Sequence, residues 1–249
     1  MSRILKNNII KVIGIILFPS VWLILTYCIN VPERYLPSPS NVISAFSTIE
    51  PNIVIHFLWS FFRLIVGYIG GVLVGIFLGL RLFKSKTLYH LLFPTIQSLR
   101  SIPAAATVPF FLLWFGFEET GKFLLIISGI AFNLSITTIE ILSRIPDKYS
   151  IFFRSINDRA ENHLQNFALP FVLEKLLPTL RFSLSTSIGL VVVSEFLGSQ
   201  VGLGYLIQTA RSTFSMNVIF ACMLLFGVMN FLVDKLLITI WSKIIKWKS

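Results

Sequence analysis

Apolar residues form long blocks along the chain, separated by short polar segments. A block of about 20 apolar residues is long enough to cross a bilayer as a helix. We therefore predict straight spans at Val12–Ile29, Trp59–Leu80, Phe123–Leu142, Phe182–Leu197 and Met216–Val233. The block from Tyr89 to Gly116 is too long for one straight helix and contains three prolines, so a broken helix is expected there. The pattern predicts an all-α, polytopic membrane protein with about six transmembrane helices.

Composition agrees with this class. Of the 249 residues, 55% are hydrophobic and 13% are charged, and the mean hydropathy is +0.82. A soluble domain would carry about 25% charged residues. We expect a single transmembrane domain over residues 1–249 with its core at 57–240. The two cysteines lie inside apolar blocks and the three histidines are scattered, so neither a disulfide framework nor a metal site is expected. No set of catalytic side chains is recognisable, which argues against an enzyme.

The most polar part of the chain is residues 144–181, with six Lys or Arg and four Asp or Glu. Its first half places an apolar face at helical spacing, formed by Tyr149, Phe152, Phe153 and Ile156. Asn157 follows, a residue that tolerates the left-handed conformation at a helix end. Asp158 and Glu161 have the spacing of a capping box, and Leu164 begins a second short apolar face. This pattern predicts two short amphipathic helices joined by a sharp turn, which together form a docking element.

The distribution of positive charge predicts the orientation in the membrane. Under the six-span model, 16 of the 21 Lys and Arg residues fall on one side. Cytoplasmic segments of membrane proteins are enriched in these residues. Both termini and the loop of residues 144–175 are therefore predicted to be cytoplasmic. The net charge of +10 follows from this placement, and nucleic-acid binding is not needed to explain it.

The second span contains a regular series of glycines, at Gly67, Gly71, Gly75 and Gly79. A spacing of four residues places them on one stripe of the helix. In a bilayer, such stripes of small residues allow two helix backbones to approach closely. We predict that another helix packs against this stripe.

Ionisable residues inside apolar segments are candidates for a solute path. Glu195 ends the fifth predicted span, and Arg63 and Arg100 lie within two others, the latter three residues before Pro103. Two alternatives stay open. Glu195 is equally explained as an interfacial carboxylate that is solvated or paired with an arginine. Arg63 is close enough to the predicted outer surface to extend its charge into water.

Residues Gly116 to Lys122 match the glycine and lysine spacing of a phosphate-binding P-loop. The match fails at Phe123, where Ser or Thr is required to hold magnesium, and Glu118 and Glu119 would repel phosphate. We predict no nucleotide site in this chain.

Several runs in order along the chain resemble the membrane permeases of bacterial ABC importers, and most closely the nitrate, sulfonate, taurine and bicarbonate branch. These runs are Tyr35–Val42, Ser60–Gly67, Arg100–Gly116, Ser194–Leu197 and Gly202–Ile207. The resemblance covers about residues 35–240. It implies the fold of a type I importer permease, a dimer of two permease copies, a separate ATP-binding subunit and an extracytoplasmic solute-binding protein. It also implies a location in the bacterial cytoplasmic membrane and no cofactor on this chain.

In this family, the cytoplasmic loop carries a motif that docks on the ATP-binding subunit. With Leu169 and Pro170 aligned to the Leu-Pro of the motif, Arg181 aligns with its arginine and Asn157 with its glycine. Phe152 and Phe153 then replace two alanines. Asn in place of Gly preserves the left-handed turn, whereas two phenylalanines would overfill a groove shaped for methyl groups.

The sequence therefore predicts a permease subunit of an ATP-driven importer for a small anionic solute. Two alternatives remain open: a permease of the same type for an unrelated solute, and a diverged membrane scaffold without transport activity, which the two phenylalanines favour. A membrane enzyme is disfavoured because no catalytic set is present.

Overall fold

A computed structural model of the chain describes residues 13–14, 16–17, 19–49, 53–145 and 169–244. All regular structure in these segments is helical, which confirms the predicted all-α class. The helices, with a 3-10 turn at Ala104–Thr107 between α4 and α5, are α1 (Pro19–Cys28, ending in a π turn), α2 (Pro39–Thr48), α3 (Ile53–Lys84), α4 (Lys86–Ser101), α5 (Val108–Phe115), α6 (Glu119–Ser143), α7 (Leu169–Gly198), α8 (Leu203–Ser212) and α9 (Met216–Ile244).

Four of these helices are long and apolar enough to cross a membrane: α3, α6, α7 and α9. A fifth crossing is possible by α4 and α5 together, which are bent by 92° at the break between them. The first predicted span contains α1, a shorter apolar helix, and its residues 13–14 and 16–17 are helical as well. The described residues thus account for four or five of the six predicted spans.

The broken helix predicted between Tyr89 and Gly116 is observed, and the break between α4 and α5 lies at Pro103. Ile102 is extended (φ −77°, ψ 124°), the conformation that a following proline favours. The other two prolines of the block do not break it. Pro94 lies inside α4, and Pro109 is in the first turn of α5, where no backbone N–H is needed.

The glycine stripe of α3 faces α6. A Cβ atom at Gly67 would lie 2.6 Å from Cγ2 of Ile126, and one at Gly79 would lie 2.5 Å from Cβ of Thr138. At Gly75 the added atom would also come within 2.9 Å of the carbonyl oxygen of Ala131. These separations are too short for any side chain, so glycine is what allows the two helices to pack at this distance.

The helix of the fifth span begins earlier than the sequence predicted. Residues 169–181, assigned above to the polar stretch and its docking loop, belong to α7 and continue into the fifth span. Pro170 is tolerated because it occupies the first turn of α7, and Pro178 lies within the helix. Leu169 and Pro170 are the first two residues of α7. The predicted docking residues Tyr149, Phe152, Phe153, Ile156, Asn157, Asp158 and Leu164 lie outside the described residues.

Two shorter helices complete the fold. α2 lies between α1 and α3. Ser38 caps it by accepting a hydrogen bond from the Asn41 N–H (3.3 Å), and Val42 and Ala45 pack against Ala221 of α9. α8 is not among the helices predicted from the sequence. It follows α7 directly and packs against α3, α7 and α9.

Candidate functional site

Four charged side chains meet where α3, α6 and α7 come together, at the start of α6 and the end of α7. Arg63 comes from α3, Glu119 and Lys122 from α6, and Glu195 from α7. This end of the bundle is opposite to Ser143 and Leu169, which flank the polar loop. We refer to these four residues as the charge network.

Glu195 is completely buried, with a relative exposure of 0%. Its carboxylate accepts hydrogen bonds from Nη1 of Arg63 (2.7 Å), from Oγ of Ser60 (2.8 Å) and from the backbone N–H of Gly204 (2.7 Å). A buried carboxylate is tolerated only when its charge is paired and its oxygens are hydrogen-bonded, and both conditions hold here.

Glycine at positions 202 and 204 is required by the approach of Glu195. A Cβ atom at Gly202 would lie 2.5 Å from the carboxylate, and one at Gly204 would lie 2.8 Å from Cβ of Glu195. Gly202 also has φ 137° and ψ 163°, a conformation open essentially to glycine alone. The Gly-x-Gly sequence therefore brings the start of α8 onto the buried carboxylate.

Two further polar side chains of α3 hold the start of α8. Oγ of Ser60 accepts a hydrogen bond from the Leu203 N–H (2.8 Å), and Nδ1 of His56 accepts one from the Gly202 N–H (3.1 Å). The imidazole of His56 stacks on the ring of Tyr205, with 6.1 Å between the ring centroids. The free N–H groups of the first turn of α8 are thus satisfied by α3 and α7.

Arg63 lies between the two carboxylates and is 2% exposed. Its Nε and Nη2 atoms donate to the two oxygens of Glu119, each at 2.7 Å, and Nη1 also donates to the carbonyl of Val201 (2.7 Å). Lys122 Nζ donates to the same Glu119 carboxylate at 3.0 Å. Two cations and two carboxylates balance, so the charge network has no net charge.

A separate cavity of about 590 Å³ lies beside the break at Pro103. Its wall is mostly apolar, and its polar lining consists of Arg100, Ser101, Thr107, Ser128, Asn133 and Thr186. The lining comes from α4, the 3-10 turn, α5, α6 and α7. The cavity is therefore bordered by the broken helix on one side and by straight spans on the other, and it is open to the surroundings.

The structure divides the predicted solute-path residues between these two places. Arg63 and Glu195 form a direct ion pair in the charge network, whereas Arg100 and Pro103 line the cavity. Glu195 is paired with an arginine, which is one of the arrangements left open for it, and its part in a solute path stays a prediction. The alternative in which Arg63 extends its charge into water is not observed, because Arg63 is 2% exposed and its charge is paired with both carboxylates.

Sequence reasoning missed four members of this region: His56, Ser60, Glu119 and Lys122. His56, Ser60 and Arg63 are spaced at i, i+4 and i+7, which places three polar residues on one face of an apolar span. That spacing was a readable signal. Glu119 and Lys122 were considered only as part of the rejected P-loop, and their actual partner is Arg63.

A second ion pair lies nearer the other end of the bundle. Arg181 of α7 donates to both oxygens of Asp234 of α9, at 2.7 and 2.8 Å. Half of the Arg181 side chain is exposed. This pair joins α7 to α9. Unlike the buried charge network, it lies at the surface of the helix bundle.

Long apolar helices, a broken span beside a cavity and buried charges inside the bundle define a polytopic membrane protein of the transport class. The family model for the inner membrane component of binding-protein-dependent transport systems matches residues 71–244. The chain belongs to this family and is a membrane permease component. The resemblance to permeases of ABC importers found in the sequence is confirmed.

Individual relatives agree with this assignment. The protein SsuC of Bacillus subtilis (strain 168), named as an aliphatic sulfonates transport permease, is 29% identical over 92% of this chain and 84% of its own length. The taurine transport system permease protein TauC of Escherichia coli (strain K12) is 25% identical over 92% of this chain and 86% of its own. The nitrate import permease protein NrtB of Synechococcus elongatus is 26% identical over 83% of this chain and 77% of its own length.

The fold is also that of a solved transporter. An inward-facing structure of the MetNI methionine ABC transporter matches with a TM-score of 0.62 and 17% identity, covering 77% of this chain and 98% of that one. At this level of identity the match concerns the fold alone. It agrees with the predicted architecture of a type I importer permease.

Proposed function

We propose that two copies of this chain form the path of a small anionic solute across the bacterial cytoplasmic membrane. An extracytoplasmic binding protein delivers the solute, and a separate ATP-binding subunit binds and hydrolyses ATP. The observation that carries the proposal is the cavity beside the broken span, because it combines a cationic side chain with polar groups inside an apolar wall.

The chemistry of the cavity favours an anion. Arg100 lines it, and a guanidinium group offers paired N–H donors that fit carboxylate, sulfonate or nitrate oxygens. Hydroxyl groups of Thr107, Ser128 and Thr186 and the amide of Asn133 supply further hydrogen-bonding groups. Three relatives are named for aliphatic sulfonates, taurine and nitrate, solutes that all carry anionic oxygens.

The position of the cavity favours a solute path. Ile102, Pro103 and Ala104 at the break are among its lining residues. A non-helical backbone inside a membrane is tolerated where it is buried in protein or borders a water-filled space. The non-helical backbone at the break is therefore tolerated if the cavity contains water during transport.

Coupling to ATP is proposed to occur at the opposite end from the charge network. The polar loop connects the end of α6 to the start of α7 at that end, and Tyr149, Phe152, Phe153, Ile156, Asn157, Asp158, Leu164, Leu169 and Pro170 are its proposed contacts with the ATP-binding subunit. Arg81, Lys84, Lys86 and Arg144 lie at the ends of helices that reach this side. Their charge supports a cytoplasmic orientation of this end and of both termini.

The orientation is testable by labelling single cysteines with a membrane-impermeant reagent, after the exposed Cys28 is replaced by Ser. Cysteines at Ser143 and Ser212, which are both exposed, should react from opposite sides. Labelling of both from the same side would contradict the proposed topology.

The transport proposal is tested by uptake of radiolabelled taurine and nitrate into proteoliposomes that contain the permease, its ATP-binding subunit and its binding protein. Arg100→Gln should lower uptake about tenfold or more, because a hydrogen-bonded charge partner of the solute is lost. Arg34→Gln is the matched control, since Arg34 is an exposed residue outside the cavity and its removal should leave uptake unchanged.

Two results would contradict the proposal. If Arg100→Gln takes up solute as fast as the parent protein, the cavity is not part of the solute path. Absence of any uptake that depends on ATP and the binding protein, over a panel of anionic and neutral solutes, would leave the membrane scaffold as the better explanation.

A further inference from the structure

The two carboxylates that hold Arg63 are themselves held in different ways. Glu195 is also bound by the hydroxyl of Ser60 and the N–H of Gly204, and is fully buried. The Glu119 side chain is 33% exposed. Within the described part of the chain, the side-chain hydrogen bonds of Glu119 are all donated by cations: Nε and Nη2 of Arg63 and Nζ of Lys122. Glu195 is built into the fold, whereas Glu119 is held by charge.

The charge balance of the network depends on Glu119. Without it, Arg63, Lys122 and Glu195 carry a net charge of +1, and the Arg63 and Lys122 side chains are each only 3% exposed. An uncompensated charge in such a place is costly. The position therefore requires one negative charge, and Glu119 supplies it in this structure.

The geometry accepts more than a glutamate. The Arg63 fork binds the carboxylate through two parallel N–H donors of 2.7 Å each, with the ammonium of Lys122 on one of the same oxygens. Sulfonate and nitrate groups present pairs of oxygens to a guanidinium in a similar way. The site thus recognises an oxyanion group and makes no contact that is specific to a glutamate side chain.

Glu119 is also placed where it can be exchanged. It is the first residue of α6, directly after the short connection from α5 in which Gly116 has φ 86°. Its partial exposure shows that this side of the site is open to the surroundings, while the Glu195 side is closed by Gly202 and Gly204. An anion arriving from outside the bundle would meet Glu119 before any other member of the network.

We propose that Arg63 and Lys122 form an anion-binding site whose internal occupant is Glu119, and that a small oxyanion with a carboxylate or sulfonate group displaces it. Because the oxyanion must compete with Glu119, the affinity of the site for the oxyanion is low, and the bound oxyanion can be released. The site stands on the geometry alone, and only the identity of its natural ligand rests on the proposed function.

The test uses the full-length chain purified in detergent, with methanesulfonate as the probe and binding measured by calorimetry. Glu119→Gln should bind the probe about tenfold more tightly or better than the parent protein, because a competing unit charge within a few ångströms has been removed. Glu119→Asp retains the charge on a shorter side chain, and its affinity should fall between the two. Methanesulfonate should also raise the melting temperature of Glu119→Gln more than that of the parent.

Glu118→Gln is the matched control, because the exposed Glu118 is adjacent in sequence and is not a member of the charge network. Its affinity should equal that of the parent. Equal affinities of the parent, Glu119→Asp and Glu119→Gln would overturn the proposal, as would an equal gain from Glu118→Gln, which would indicate general electrostatics. If Glu119→Gln does not fold, the comparison between Glu119→Asp and the parent decides.

The measurement needs neither ATP nor a partner protein. Suppose that Glu119→Gln binds methanesulfonate most tightly, Glu119→Asp less tightly and the parent protein least, but that the permease does not transport sulfonates. That result would contradict the proposed function and leave the proposed site intact. A permease that transports anions with equal affinities in all variants would contradict the site and leave the function intact.

Discussion

Arg63 and Arg100 are both arginines within apolar segments, yet their surroundings differ completely. Arg63 is 2% exposed and donates to Glu119, Glu195 and a backbone carbonyl. Arg100 is exposed at the edge of the cavity and forms no ion pair with any residue that the structure describes. The first arginine connects three helices, and the second leaves its donors available.

This difference shows that an arginine inside a membrane domain is not by itself evidence of a binding site. A buried guanidinium group is tolerated when its charge is cancelled and its donors are used. Arg63 meets both conditions through contacts with residues of α6 and α7. In this structure Arg63 therefore holds the helices together, and an anion would have to displace Glu119 to reach it, whereas an anion can reach Arg100 without displacing a carboxylate.

The sharpest test of the comparison is to neutralise each arginine. Arg63→Met should lower the free energy of unfolding by about 3–5 kcal/mol, because Glu195 is then buried without its cationic partner. Arg100→Met should change it by less than about 0.5 kcal/mol, as is usual for an exposed side chain. Denaturant unfolding of both variants in the same detergent gives the comparison.

A double variant separates charge from packing at this position. In Arg63→Met combined with Glu195→Gln, neither buried charge remains, so the loss should be smaller than the sum of the two single losses. Strict additivity, or similar losses for Arg63→Met and Arg100→Met, would mean that the charge network does not hold the helices.

An intermediate effect is expected at the glycine stripe, which aligns α3 with α6 and so brings Arg63 to Glu119. Gly75→Leu would place a Cβ atom 2.7 Å from Cβ of Leu134. Such overpacking costs about 1–3 kcal/mol. Leu73→Phe on the same helix is the control, since Leu73 is 64% exposed. Unfolding free energies that are lowered equally in the two variants would show that the stripe is not a packing surface.

The smallest effect is expected for the exposed ion pair between Arg181 and Asp234. Although the pair is bidentate, half of the arginine side chain is exposed, and solvent-exposed pairs contribute little to stability. Arg181→Gln should therefore change the free energy of unfolding by less than either variant above. A loss as large as that of Arg63→Met would show that access to the surroundings is not what distinguishes the two ion pairs.

Much of the fold was readable from local patterns. Apolar blocks located the spans, three prolines between Tyr89 and Gly116 indicated a broken helix without specifying which of them breaks it, and the four-residue spacing of Gly67 to Gly79 indicated a packing surface. Errors occurred where a local signal was ambiguous. The polar residues after Leu169 concealed the first turns of α7, and α8, which begins directly after Gly202, was not among the predicted elements. In that second case Gly202 and Gly204 make room for Glu195 at the end of α7, and the start of α8 is held by Ser60 and His56, which lie 143 and 146 residues away and which no local pattern reveals.

By itself, the sequence determined the class of protein, because hydrophobic length and helical periodicity depend only on neighbouring residues. It also indicated the expected orientation through the distribution of Lys and Arg. Only the tertiary structure decided which charges meet. Arg63 and Glu195 are 132 residues apart in the chain and join through a 2.7 Å contact. Spacing along one helix predicts a face, but it does not specify which face of another helix is packed against it, and that packing is what separates the buried Arg63 from the accessible Arg100.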